Sequence, residues 1–170
     1  MTRPNWDEYF MDIARAVALR SEDPSSKVGC VIVDKNNRPI SFGYNGFVAG
    51  CNERGESFER PMKYNLVIHG EMNALLFAKQ DLKDAKVYCT HAPCDNCLKH
   101  LLQSGIRYII FDDTELLSRL SVDSLIACMR LANSVEMESL HNTNGIWYGN
   151  IITEELDHRG SSIYTGVERE

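Results

Sequence analysis

One histidine and two cysteines in this chain have the residue types and the spacing of a metal site. His69 precedes a Cys-x-x-Cys pair formed by Cys94 and Cys97. One imidazole and two thiolates suit zinc in tetrahedral coordination. Three protein ligands leave the fourth position open, where a zinc ion can hold a water and lower its pKa to about 7. The sequence therefore predicts a zinc ion that takes part in catalysis.

A carboxylate lies close to these ligands in the chain. Glu71 follows His69 by two residues, which is poor spacing for binding the same ion but close enough to reach a water on it. Glu71 is therefore the candidate general base and general acid. A Cys-x-x-Cys pair alone is a weak signal, because redox pairs and structural zinc sites also contain it. A structural site could take Cys89 as its fourth ligand.

The composition is that of an ordinary globular protein. The chain has 170 residues, 44% of them hydrophobic and 25% charged, which is enough for one domain with a core. The formal net charge of −6 argues against binding to a nucleic-acid backbone, although a few local cations suffice for one phosphate. Neither an apolar signal segment nor a run of roughly 20 apolar residues is present. We therefore expect a cytoplasmic protein with reduced thiols and no membrane contact.

Hydrophobic periodicity predicts the elements that must position these groups. Apolar side chains such as Trp6, Phe10 and Ile13 recur at the spacing of one helical face. Helices are predicted over residues 5–19, 69–80 and 94–104, and a fourth is marked by Val122, Leu125, Ile126 and Met129. Strands are predicted over residues 28–33, 40–44, 86–90, 107–111 and 135–140. Residues 46–66 are predicted to form a long polar loop.

The order of these elements predicts the architecture. It favours an α/β fold of three αβα layers, in which a mixed five-stranded sheet carries helices on both faces. The second and third helices would begin at one edge of the sheet, where open α/β sheets bind ligands. Their N-termini could then bring the histidine and both cysteines together. We expect residues 1–170 to form a single domain, with a core over about 4–140 and a C-terminal extension, 141–170, of unassigned role.

Four stretches resemble the cytidine deaminase superfamily and, within it, the deoxycytidylate deaminases. They are residues 20–24, 43–51, 69–74 and 93–97. The last two contain the H-x-E…P-C-x-x-C signature of zinc nucleobase deaminases. The first two stretches narrow the resemblance to the deoxycytidylate branch. The resemblance covers about residues 4–140 and implies a cytidine-deaminase-like fold.

The resemblance also implies a reaction. It is the zinc-dependent hydrolysis of dCMP to dUMP and ammonia, which would supply dUMP for dTMP synthesis. His69, Cys94 and Cys97 would bind the zinc ion. Glu71 would take the proton of the water, pass it to ring nitrogen N3, and then deliver a proton to the departing amine.

Five residues are implied to contact the substrate. Asn45 would hold the sugar hydroxyl, although Asn-Gly is also a common turn pair. Arg20 would contact the phosphate through its forked donors, although it could equally be a solvated residue at a helix end. Lys27 is a second candidate for the phosphate. Gly70, where the family usually has alanine, and His91, beside the metal-binding segment, complete the predicted substrate site.

Many members of this family are hexamers that dCTP activates and dTTP inhibits, each together with magnesium. The resemblance therefore implies a homo-oligomer, a hexamer, that binds Mg²⁺ with a nucleoside triphosphate effector. The allosteric site would be formed by Gly43, Tyr44, Gly46, Gly50 and Cys51, together with the loop that follows them.

Two features leave alternatives open. Family members often have a tyrosine near the base soon after the fourth strand, and residues 112–117 contain none. The base could instead stack on Phe47 or on an aromatic residue of the C-terminal extension, while Lys63 and Tyr64 could line the mouth of the site. The rival activities are deamination of free cytidine, of a tRNA adenosine or of a riboflavin precursor. The rival from another functional class is a non-catalytic interaction domain that a zinc ion stabilises. Such a domain would not need Glu71.

Overall fold

A mixed sheet of five strands lies between two layers of helices. The computed structural model describes residues 2–51, 59–113, 115–140 and 158. Its strands are β1 (Gly29–Val33), β2 (Pro39–Tyr44), β3 (Gly46–Phe47), β4 (Val67–Ile68), β5 (Lys86–His91), β6 (Tyr108–Asp113) and β7 (Glu136–Ser139). The large sheet has the order β2-β1-β5-β6-β7, and β3 pairs with β4 in a separate two-stranded sheet.

Both strand directions occur in the large sheet. β1 is antiparallel to both of its neighbours, β2 and β5. β5, β6 and β7 are parallel, and α-helices connect them, as parallel pairing requires. The predicted α/β fold, with a mixed five-stranded sheet, is therefore confirmed.

The helices cover both faces of this sheet. They are α1 (Trp6–Ala18), α2 (Met62–Leu66), α3 (Gly70–Phe77), α4 (Asp95–Gln103) and α5 (Val122–Ala132), with a 3-10 helix at Glu115–Arg119. Asn5 and Glu8 form a reciprocal capping box that begins α1. α1 packs on one face of the sheet, and α3, α4 and α5 form the layer on the other face.

Alternating side chains divide the core into two clusters. Because successive residues of a strand point to opposite faces, Val31 and Val33 contact the α1 layer, whereas Cys30 and Ile32 contact the other layer. The α1 cluster also contains Phe10, Met11, Ala14, Tyr88 and Ile110. β1 is buried on both faces, which explains its continuous apolar sequence.

The segment predicted as a loop over residues 46–66 contains short elements that the periodicity could not indicate. β3 has two residues and α2 has five, too few for an apolar repeat to be recognised.

The helix α3 ends at Phe77 rather than near residue 80, because Ala78 has an extended backbone with ψ of 128°. The aromatic residues of the C-terminal extension, on which the base could stack, lie outside the described residues. Among the residues that the structure describes, we find no helix with the length and apolar composition of a membrane span.

β2 and α3 approach each other so closely that only glycine fits between them. A Cβ atom at Gly43 would overlap the carbonyl oxygen of Gly70 and the backbone nitrogen of Ala74. Both of these atoms belong to α3, so relief would require that helix to move away from the sheet. The position of the first turn of α3 therefore depends on Gly43.

We expect Gly43→Ala to lower the free energy of unfolding by at least about 2 kcal/mol, because overpacking against backbone cannot be relieved by a change of rotamer. Urea denaturation followed by circular dichroism measures the change. Gly46→Ala is the matched control, since a Cβ atom there would lie 3.8 Å from the nearest atom, in the ring of Tyr44. Equal stability of the two variants would contradict the proposed close contact.

Candidate functional site

The N-termini of α3 and α4 bring three potential metal ligands together. His69 is the N-cap of α3, Cys94 is the N-cap of α4, and Cys97 lies in the first turn of α4. Both N-cap residues have extended backbone, with ψ of 154° at His69 and 168° at Cys94. Neither residue caps its helix through a side-chain hydrogen bond, so both side chains are available to a shared ligand.

The distances among these three side chains fit one zinc ion. His69 Nδ1 lies 3.6 Å from Cys94 Sγ and 3.4 Å from Cys97 Sγ. All three ligand atoms lie within 4.8 Å of one another. A nitrogen and a sulfur bound to the same zinc at the tetrahedral angle would be about 3.6 Å apart, given zinc bond lengths of about 2.1 and 2.3 Å. Among the described residues, this is the group whose donor atoms could hold a metal ion.

The three side chains share protons that a metal ion would displace. A hydrogen bond with Cys97 and a second with His69 lower the pKa of Cys94 to about 4, against the effect of burial. The same hydrogen bond with Cys94, together with burial, raises the pKa of Cys97. The hydrogen bond with Cys94 raises the pKa of His69 to about 9. Metal binding to such a group releases protons, because zinc requires thiolates and neutral imidazole.

Cys89 does not belong to this ligand group. Its sulfur donates a hydrogen bond to Cys30 Sγ at 3.4 Å, across the paired strands β1 and β5. Burial raises the pKa of Cys89 well above that of a free thiol. The described structure therefore supports three protein ligands and an open fourth position, rather than a site closed by Cys89.

Glu71 lies in the first turn of α3 and is almost fully buried, with 4% of its surface exposed. Burial raises the pKa of its carboxyl, and the nearby His69 opposes this increase. A carboxyl whose pKa moves toward neutrality can both accept and donate a proton at physiological pH. Glu71 therefore has the environment of a general acid–base residue beside the ligand group.

A cavity of about 260 Å³ opens onto Glu71 and the ligand group. Three of the five predicted substrate residues line it: Asn45, Gly70 and His91. A Cβ atom at Gly70 would lie 3.1 Å from the carbonyl oxygen of Val28, so this position accepts alanine only with a small shift. Arg20 and Lys27 are exposed and do not belong to the cavity lining. Their assignment to the phosphate stays a prediction.

Asn45 joins the cavity wall through its side-chain amide. Its Nδ2 donates to Asp23 Oδ2 at 3.2 Å and to the carbonyl oxygen of Ser26 at 2.9 Å. Its Oδ1 accepts a hydrogen bond from the backbone N–H of Val28 at 2.7 Å. The amide therefore fastens residues 23–28 to the end of β2. One lone pair of Oδ1 is left to accept a hydrogen bond from a substrate hydroxyl.

Asp23 is the centre of this part of the wall and is 2% exposed. It forms an ion pair with Lys63, whose Nζ lies 2.6 Å from Oδ2, and it accepts hydrogen bonds from the backbone N–H groups of Ser25 and Ser26. Burial alone would raise the pKa of Asp23, but the hydrogen bonds from Lys63 and Ser25 outweigh it and lower the pKa. The carboxylate therefore stays charged while buried.

Sequence reasoning did not identify the roles of three residues in this cavity. Asp23 lies in the family-like stretch 20–24, yet nothing in its local pattern indicates a buried ion pair. Arg60 lies in the segment predicted as a loop, and Arg119 ends the 3-10 helix after β6. Both arginines line the cavity. No sequence spacing connects them to the site, because only the packing of distant segments brings them there.

Replacing any one of the three ligands with alanine should lower zinc affinity by more than about 100-fold, since even changes to residues around the ligands cost 10–100-fold. Competition against a zinc chelator, followed by metal analysis of the protein, measures the loss. Cys51→Ala is the control, because Cys51 is an exposed thiol outside the ligand group. Unchanged zinc content in Cys97→Ala would rule out the three-ligand site.

Asp23→Asn should lower the free energy of unfolding at pH 7 by about 3–5 kcal/mol, because it leaves a buried ammonium group without its counter-charge. The folded-state pKa of Asp23 lies below its unfolded value. Its stabilisation is therefore present above about pH 4 and is lost as the pH falls through the folded-state pKa. The difference from wild type should shrink at pH 3.

Urea unfolding at pH 7 and pH 3, with a chelator present at both, measures this dependence. The control is Asp12→Asn, which removes an exposed ion pair with Arg15 and should cost less than about 1 kcal/mol. An Asp23→Asn effect of the same size at both pH values would show that charge is not the cause.

Comparisons with known proteins agree with the site. The model of the cytidine and deoxycytidylate deaminase zinc-binding region matches residues 4–112. An uncharacterized deaminase from the luxG 3' region of Aliivibrio fischeri is 43% identical over 101 residues, which cover 59% of this chain and 68% of that protein. The deoxycytidylate deaminase of Mus musculus is 39% identical over 113 residues. These cover 62% of this chain and 64% of the mouse protein, so the chain spans just under two thirds of that relative.

A solved structure extends the likeness to three dimensions. The dCMP deaminase of cyanophage S-TIM5, in complex with dCMP and dUMP, superposes with a TM-score of 0.66 and 26% sequence identity. The alignment covers 82% of this chain and all of the phage chain (100%). The matched family region contains the three ligands and Glu71, and the donor set supports zinc as the metal. The chain therefore belongs to the cytidine and deoxycytidylate deaminase family.

Proposed function

We propose that this protein is a zinc-dependent enzyme that hydrolyses dCMP to dUMP and ammonia. The observation that carries the proposal is the presence of His69, Cys94 and the buried carboxylate of Glu71 in the wall of one cavity. The deoxycytidylate deaminases among the relatives, and a structural neighbour bound to dCMP and dUMP, support this substrate. The product dUMP would then be available for dTMP synthesis.

The roles of the residues follow from their positions. A zinc ion bound by His69, Cys94 and Cys97 would supply an activated water beside Glu71. Glu71 would take a proton from that water and pass it to ring nitrogen N3, which makes C4 of the cytosine ring more electrophilic. The C4–O bond would form as N3 is protonated. Glu71 would then take the remaining proton of the added hydroxyl and deliver it to the amine, so that the C4–N bond breaks, ammonia leaves and C4 becomes a carbonyl. Its burial supports this shuttle by keeping the carboxyl out of bulk water.

A non-catalytic zinc domain explains the structure less well. In the described residues, no lysine or arginine forms an ion pair with Glu71. A buried carboxyl without such a partner costs stability, and a purely structural metal site would gain nothing from it. The formal net charge of −6 also disfavours a tRNA substrate. A phosphorylated pyrimidine monomer fits the cavity and its cations better.

We further propose that dCTP activates the enzyme and dTTP inhibits it, each with Mg²⁺, at the segment from Gly43 to Cys51. Two contacts support coupling between this segment and the site. Gly43 packs directly on the backbone of α3, and the carbonyl oxygen of Tyr44 accepts a hydrogen bond from Asn73 Nδ2 at 2.8 Å. A ligand that moved this segment would therefore act on the helix that carries Glu71.

A homo-hexamer in the cytoplasm is the assembly that we propose. Large apolar side chains are exposed on β2 and α3, and association would bury them. They are Phe42, Tyr44, Leu76 and Phe77. None of the six cysteines, all of which the structure describes, forms a disulfide, which agrees with a reducing compartment.

The direct test is ammonia release by the zinc-loaded protein from dCMP, CMP, deoxycytidine and cytidine, each with and without dCTP. We expect dCMP to have the highest kcat/KM. Glu71→Gln should retain zinc but lose turnover by about 10²- to 10⁴-fold, the usual contribution of a general acid–base residue.

Glu136→Gln is the control for this variant, because Glu136 is exposed on β7 and lies outside the cavity. Wild-type turnover by zinc-loaded Glu71→Gln would refute the role of the carboxylate. Absence of ammonia release from all four compounds by the wild-type protein would refute the proposed activity.

A further inference from the structure

Three cationic side chains line the cavity that contains Glu71, and they differ in how far the protein already neutralises them. They are Arg60, Lys63 and Arg119. Lys63 Nζ contacts both oxygens of Asp23, at 2.6 and 2.9 Å, and donates to Ser25 Oγ at 2.6 Å. Its three donors and its charge are therefore used within the protein. Lys63 supports the wall of the cavity and has little capacity left for a ligand.

Arg119 retains donors that could bind a ligand. Its Nη1 donates to Ser26 Oγ at 2.8 Å, and its Nη2 lies 2.8 Å from Glu115 Oε1. A guanidinium group has five N–H donors, and these two contacts occupy two of them. No further hydrogen bond from this guanidinium is formed within the described part of the chain. The side chain is 35% exposed, so a ligand in the cavity can reach it.

Arg60 adds a second positive charge to the same cavity. Its guanidinium carbon lies 5.5 Å from the ring centroid of Tyr64, which also lines the cavity. This cation–π contact orients the side chain without using its N–H donors. Over the described ranges, Arg60 has no carboxylate partner within ion-pair distance. Two arginines with unused donors therefore share one cavity.

Ser26 connects Arg119 to the residue expected to hold the sugar. The Ser26 carbonyl oxygen accepts a hydrogen bond from Asn45, while its hydroxyl accepts one from Arg119. Arg119 and Asn45 are thus anchored to the same residue of the cavity wall. In a mononucleotide the 5′-phosphate is attached to the sugar, so binding partners for the two groups must lie close together. This arrangement meets that requirement.

We infer that Arg119, assisted by Arg60, binds the 5′-phosphate of a pyrimidine mononucleotide and selects it over the free nucleoside. This inference rests on the proposed function. A planar guanidinium suits two phosphate oxygens at once, and Glu115 neutralises only one of the two arginines. Arg20 and Lys27, which the sequence favours, are exposed and lie outside the lining of the cavity. Arg119 is therefore the specificity-determining cation.

Substitution of Arg119 tests the inference through a ratio that partial unfolding does not change. The ratio of kcat/KM for dCMP to that for deoxycytidine should fall about 10- to 100-fold in Arg119→Ala, with the larger part of the change in KM. Arg119→Lys should keep part of the selectivity, because it retains the charge but loses the fork. Arg60→Ala should reduce the ratio less than Arg119→Ala.

Two further variants are compared with these. Arg130→Ala is the matched control, because Arg130 is an exposed arginine on α5 outside the cavity and its removal should leave the ratio unchanged. Arg20→Ala tests the rival residue. Loss of selectivity in Arg20→Ala but not in Arg119→Ala would overturn the inference, as would equal losses for both substrates in Arg119→Ala.

A binding measurement separates this inference from the proposed activity. Isothermal titration of the zinc-loaded protein with dUMP and with deoxyuridine should show weaker dUMP binding in Arg119→Ala, by about 10- to 100-fold. The affinity for deoxyuridine should change much less. If wild-type protein releases no ammonia, the proposed activity fails, but these two affinities still test the phosphate contact. A dUMP affinity that is the same in wild type and Arg119→Ala would overturn it.

Discussion

The convergence of two helix N-termini on one point is the constraint on which the rest of this structure depends. A zinc ion tolerates ligand positions within a few tenths of an ångström, and its ligands here come from separate helices, α3 and α4. The parallel pairing of β5 with β6 sets where α4 begins, and the close contact at Gly43 sets where α3 begins. The sheet therefore acts as the common reference that holds His69 opposite the two cysteines.

A second layer of polar contacts builds the cavity around this metal site. The buried Asp23 carboxylate holds Lys63 and two backbone N–H groups, and Asn45 ties the same loop to β2. Buried charge is costly unless it is paired and fully hydrogen-bonded, and this carboxylate meets both conditions. The loop is thus held by polar contacts rather than by apolar packing. A wall of this kind can present donors to a substrate without losing its own shape.

The sequence predicted those features whose determinants are local. Short spacings made two features recognisable. They are the pair Cys94 and Cys97, in a P-C-x-x-C motif, and Glu71, which follows His69 in an H-x-E motif. The sheet and its main helices follow from periodicity over ten or so residues. Arg119 could not be identified in this way, because it reaches the site through Ser26, which is 93 positions away in the chain. The strands β3 and β4 were not predicted either, because each has only two residues, too few to show a hydrophobic period.

The sheet separates α1 from the chemistry on its other face. α1 packs against the sheet through Phe10, Met11 and Ala14, and none of its residues belongs to the cavity lining. Substitutions in α1 would change the stability of the fold and leave substrate selectivity almost unchanged. The opposite face is more constrained, because α3 supplies both core residues and Glu71, the proposed general acid–base residue. We therefore expect substitutions to accumulate faster during evolution on the α1 face of the sheet than on the opposite face.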